Sequence, residues 1–235
     1  MKKITGLLLL VLLCSFTYTS LNPIQRIKLS MVSRSVKDGH LKKVEADVYY
    51  NLEGKMVTYY TTPKPYITIT NSKGDIQAYD QRQNVVFQTQ NLMFSTETTQ
   101  VYFFLQNKLA DLGLSAMGFQ MHNVSFDEGL NVTIWQPPIE LSGQLKEVKL
   151  VHDKRKPIFL SYTDQNDQIV KKTYFYKYIT LNGQTPFPTA ITQIDYITPS
   201  DSTITKVAFS DILVNEQVDK SQLDFEIPVN ARVVE

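Results

Sequence analysis

Between Val44 and Gln90 the chain carries four short strand-like runs (44–52, 56–60, 66–70 with 76–79, and 85–90), and one amphipathic segment follows directly. The runs are dense in Val, Ile, Thr, Tyr and Phe, which fit a pleated, half-buried surface. Turn residues break them: Leu52-Glu53-Gly54-Lys55, Pro63-Lys64-Pro65, Ser72-Lys73-Gly74-Asp75, and the stretch from Asp80 to Asn84. Neighbours joined this closely pair antiparallel, and the Pro63/Pro65 connection cannot sit inside a central strand. In the amphipathic segment Ser95 suits an N-cap and Glu97 the positive helix end, while Val101, Phe104, Leu105, Leu109 and Leu112 recur at near-helical spacing. That order describes an open sheet with a lid.

The remaining chain extends the pattern. Pro23 to Val36 reads as a first helix, with Ile24, Ile27 and Met31 on one side and Asp38-Gly39 as its stop. The stretch from Asp111 to Met121 reads as a short helix or packed loop. Strand-like runs then follow at 130–135, 145–151, 157–162, 168–178, 189–198 and 202–214, separated by Pro137-Pro138, Asp153-Lys154, Asn182-Gly183 and Pro199-Ser200-Asp201. The sequence therefore predicts a mainly β fold: one open, strongly curved antiparallel sheet, a half-barrel of roughly ten or eleven strands, with two or three helices over its concave face.

Pro65, Ser72, Gly74, Asp75, Tyr79, Asp80, Asn84 and Val86 follow a spacing that resembles the LolA-like outer-membrane lipoprotein carriers. So do the run from Thr203 to Asn215 and the closing Phe225-Glu226-Ile227-Pro228-Val229-Asn230-Ala231, and the resemblance extends over about residues 24–235. It implies an unclosed half-barrel that holds acyl chains on an apolar concave face beneath helices. It also implies a periplasmic carrier that works as a monomer, takes lipoprotein acyl chains or another lipid, and meets envelope protein partners. In those carriers an arginine on an early strand bonds the lid. Here no arginine occurs between Arg34 and Arg82, and Lys42, Lys43 and Lys55 are the cations of those strands; lysine is a poorer match for fixed-geometry bonding.

The first twenty residues read as a signal peptide, with Lys2 and Lys3 before an apolar core from Gly6 to Leu13 and small residues behind it. Such a core is too short to span a bilayer, which takes about 20 apolar residues. Residues 21–235 are then expected to form one exported, soluble, periplasmic domain. Cys14, the single cysteine, falls inside the leader, so the domain lacks a disulfide; if Cys14 is lipidated, it anchors the chain to a membrane. The formal net charge of +1 becomes −1 without Lys2 and Lys3, because residues 1–20 hold no acid. This balance is not that of a nucleic-acid binder, and the cluster from His152 to Lys156 reads as a solvated turn.

No catalytic fingerprint is present, and His40, His122 and His152 stand apart, each reading as a surface or loop residue. The chain is read as a non-enzymatic binder without metal or cofactor. Alternation within strands supplies the candidate acyl contacts. The predicted site comprises Val48, Val57, Tyr59, Ile67, Ile69, Ile76, Phe87, Val101, Phe104, Leu105, Met117, Phe119, Val132, Ile134 and Leu160. The same alternation also fits an ordinary core packed beneath helices, with no cavity.

Overall fold

The computed structural model describes residues 23–91 and 95–234, so the proposed signal peptide and Cys14 lie outside the described residues. Its strands are β1 (Arg26–Lys37), β2 (His40–Asn51), β3 (Met56–Thr62), β4 (Tyr66–Thr70), β5 (Asp75–Asp80), β6 (Val85–Gln90), β7 (Gln120–Asp127) and β8 (Leu130–Gln136). They continue as β9 (Leu145–Asp153), β10 (Lys156–Asp164), β11 (Ile169–Leu181), β12 (Thr185–Thr198), β13 (Asp201–Val214) and β14 (Arg232–Val234). All fourteen join one sheet in the order β14-β6-β5-β4-β3-β2-β1-β13-β12-β11-β10-β9-β8-β7. Every pairing is antiparallel except the three-residue β14, which runs parallel to β6.

The sheet curls strongly. Tyr50 on β2 and Leu150 on β9 belong to one buried cluster with Phe104, although six strand steps separate them in the sheet order. At about 4.8 Å per step a flat sheet would hold them roughly 29 Å apart. This open half-barrel is the expected architecture.

Three elements differ from the sequence reading. The segment from Pro23 to Val36 contains no helix; β1 pairs with β2 and with β13 across the middle of the sheet. Ile27 and Leu29 are fully buried, and Met31 packs on the same cluster. Ile27 and Met31 are spaced by four, which suits both a helix and a strand, and Leu29 between them is what selects the strand. The lid helix is also shorter than the apolar spacing suggests. Helix α1 spans only Gln100–Leu105, with the Thr99 side chain capping Tyr102 N. Asn107 and Leu112 adopt left-handed conformations (φ 52° and 47°) that end regular helix, so Leu109 and Leu112 reach the core from turns. Finally, β7 is an edge strand over Gln120–Asp127, where the sequence reading has a short helix or packed loop to Met121 and no strand after it. Its bulge between Met121 and Asn123 breaks the alternation.

A second short helix, α2 (Lys220–Leu223), precedes the C-terminal segment, which crosses the opposite face of the sheet. No helix among the described residues is long and apolar enough to cross a membrane.

Candidate functional site

Strand register decides which face each side chain takes, since directly paired residues share a face. The inner face, under the segment from Ser95 to Phe119, carries Ile27, Leu29, Val48, Tyr50, Leu150, Leu160 and Phe175. Phe104 is 1% exposed and sits edge-on to Phe175 (centroids 5.6 Å) and Phe187 (5.9 Å), with Tyr178 at 6.3 Å. Such aromatic contacts add about 0.5–1.5 kcal/mol each beyond burial. In this conformation the space beneath α1 is largely filled by protein. A cavity of about 150 Å³ remains between the lid and β10–β11, lined by Phe103, Phe104, Leu112, Met117, Leu160 and Phe175.

The predicted site residues divide between the two faces. Val48, Phe104, Leu105, Phe119 and Leu160 are buried together in the inner cluster, and Val101 packs against it. Met117 lies at the rim of the small cavity. Ile76 and Phe87 have inner-face parity but lie towards the β14 end, outside that cluster; Phe87 is 43% exposed.

Val57, Tyr59, Ile67 and Ile69 do not face Phe104. Val57 pairs with Tyr49 and Ile69, and Tyr59 with Ile67, while their neighbours Val48 and Thr58 pair on the inner side. They form a separate outer cluster with Tyr79 and Val86, covered by Phe225, Ile227 and Ala231. The Tyr59 hydroxyl donates to Gln222 O at 2.8 Å, fixing this cover. Val132 and Ile134 are outer-face residues too, paired with Val151 and Lys149 while Thr133 and Trp135 point inward. The physical reason for all six corrections is the same. Alternation sorts faces within one strand, but hairpin length sets the parity between strands.

The lid is held at few polar points. Thr96 Oγ1 donates to Gly54 O (2.8 Å), Thr96 N–H to Asn71 O (3.1 Å), and Ser95 Oγ to Ser72 O (2.7 Å). At its middle, His152 on β9 lies 2.7 Å from Leu109 O through Nε2. A carbonyl only accepts, so Nε2 carries the hydrogen. His152 is thus buried and bonded to the lid, correcting its reading as a solvated turn residue. It supplies a lid bond from a late strand, whereas Arg26 on β1 bonds Asn215 and Glu216 instead of the lid. Asp111 pins the next turn: burial works against its charged form, but bonds from Ser115 and from the Gly113 and Ser115 N–H groups outweigh it and hold the carboxyl below its ordinary range.

Residues missed by sequence reasoning complete the inner surface. Met121, Val124 and Phe126 pair with Trp135, Thr133 and Asn131, so all three lie on the inner face, 55%, 48% and 79% exposed. Among the described residues no cluster of three metal-ligating side chains occurs.

No known family profile matches the sequence, and no curated protein matches it either. Solved structures do share the fold. A DUF1329-family protein from Desulfovibrio piger superposes with a TM-score of 0.58 at 13% identity, over 86% of this chain and 91% of its own. A putative outer membrane lipoprotein-sorting protein domain from Vibrio parahaemolyticus gives 0.56 at 14%, over 85% and 89%. A LolA-superfamily protein from Nitrosomonas europaea gives 0.54 at 12%, over 85% and 90%. The chain therefore has the LolA-like half-barrel fold, as the resemblance implies.

Proposed function

We propose that residues 21–235 act as one exported, periplasmic lipid-binding unit, freed by cleavage of 1–20, that shelters the acyl chains of a lipid or lipoprotein on the inner face. The segment from Ser95 to Phe119 serves as its lid. One observation carries this reading: the inner apolar face is wider than its cover, so that Met121, Val124 and Phe126 continue it uncovered to the sheet edge. An apolar strip of this kind on a soluble surface marks a binding site. Burying a methylene is worth about 0.8 kcal/mol, so hydrocarbon binds here without catalytic or polar machinery.

The cavity of about 150 Å³ is small beside ordinary ligand sites of about 300 Å³ or more, so the lid must lift for a chain to enter. That is feasible for α1. Six residues are too few for an independently stable helix, and its order depends on docking. Val48, Val101, Phe104, Leu105, Met117, Phe119 and Leu160 are the proposed contacts of the opened site. A second reading is docking of an envelope protein by strand addition, favoured by β7 being an edge strand exposed at all eight residues.

Organic extraction of the purified protein followed by mass spectrometry separates the two. The lipid reading expects an acyl lipid near one per chain. A lipid-free protein that also fails to bind a fluorescent fatty acid would exclude it.

A further inference from the structure

Beside the lid turn at Asn107 to Ala110 the inner face opens into a groove of about 350 Å³, lined by Leu109, Ala110, Met121 and Val124 together with Lys154 and Arg155. Across the same turn a second groove of about 490 Å³ shares Asn107, Leu109, Lys154 and Arg155 and adds Lys156. The tip of the β9–β10 hairpin thus places two cations over both openings. Both are exposed, and neither takes part in an ion pair among the described residues. Lys156 is placed differently, 5.6 Å over the Tyr178 ring. The one acid among residues 152–156 is Asp153.

The lining also holds Asn131, Thr133 and His152. His152 and Asn131 are cross-strand partners, and His152 Nδ1 and Asn131 Oδ1 are buried with no hydrogen-bond partner among the described residues. With Nε2 holding the hydrogen both atoms are acceptors, which an anionic head cannot satisfy, so they do not place the head and the cations do. A purely ionic solute would gain nothing from Leu109, Met121 and Val124, and a neutral lipid nothing from Lys154 and Arg155. The combination matches a molecule with an anionic head and a hydrocarbon chain.

We propose that this groove receives the head end of an acyl lipid bearing a carboxylate or phosphate headgroup, with the head at Lys154 and Arg155 and the chain passing Met121 and Val124 to the site beneath the lifted lid. The proposal rests on the acyl-binding reading above and adds to it the place and charge of the head.

The test compares a fluorescent palmitic-acid analogue with its methyl ester, both as monomers, on the purified chain. The acid is expected to bind at least about fivefold more tightly than the ester, the scale of two partly exposed charge contacts. A Lys154→Asn/Arg155→Gln variant is expected to lose that preference while holding the ester affinity; Asn suits position 154, whose φ is 57°. Phosphatidylglycerol should displace the acid probe, and inorganic phosphate at equal concentration should not. Equal binding of acid and ester would overturn the headgroup site while leaving acyl binding intact. Displacement by inorganic phosphate would make this a free-anion site and overturn the lipid assignment. Failure of both probes would remove the acyl reading and this proposal together.

Discussion

At the scale of single residues, Tyr50 is a buried liability within the inner cluster. Tyr50 is fully buried, and its hydroxyl has no hydrogen-bond partner among the described residues. Replacing it with phenylalanine keeps the ring and removes an unsatisfied donor, so Tyr50→Phe is expected to stabilise the protein by about 1 kcal/mol in urea unfolding. Phe104 behaves in the opposite way. Its aromatic contacts make any truncation a stability change of about 3–5 kcal/mol, so Phe104 variants report folding before they report binding. The helical spacing of Val101, Phe104 and Leu105 was legible in the sequence because each lies on the face that docks. His152 was not legible, because a lone histidine beside three cations looks like solvated hairpin until the fold places it under Leu109.

At the scale of elements, the lid is a short helix followed by turns that are locked by backbone conformation. Gly113 has φ +82°, and a Cβ there would lie 2.3 Å from the Phe103 ring. Gly113→Ala is therefore expected to cost about 1–3 kcal/mol, through left-handed strain and a displaced ring. It should also accelerate amide exchange across the lid more than across β9 to β12. Exchange accelerated equally everywhere would make the lid part of one rigid core. The hairpins of β2 to β6 were legible from turn residues and β-branched density, which are local signals. The faces of Val57, Ile67 and Val132 were not, because register between strands depends on how many residues each turn spends. Strand β14 was also invisible: three residues recruited by β6 carry no periodicity of their own.

At the scale of the whole molecule, a half-barrel with aromatic cores on both faces makes stability sensitive to alkali. Desolvation by burial raises Tyr50, Tyr60, Tyr162 and Tyr178 above their ordinary value of 10, and pushes Tyr66 up to about 12. A raised folded pKa means that the unfolded chain loses these protons first. Their contribution is complete below pH 10 and is lost as pH climbs towards the folded values. The melting temperature is therefore expected to hold to about pH 10 and fall steeply above it; a flat profile to pH 12 would contradict the burial of these rings. Strand order within β1 to β6 and within β7 to β13 follows from the succession of hairpins, whereas the β1–β13 pairing that joins the halves, and the uncovered strip at β7, emerge only in the fold. The central claim is that this sheet takes hydrocarbon on its inner face by lifting the lid. Hydrogen exchange of the purified protein with and without a saturating long-chain fatty acid tests it most directly. Changed exchange in residues 100–119 and in the facing strands β9 to β12, with the outer cluster of Val57, Ile67, Tyr79 and Val86 unaltered, is the predicted result. Changes confined to that outer cluster and the segment from Phe225 to Ala231, with the lid unaffected, would contradict it.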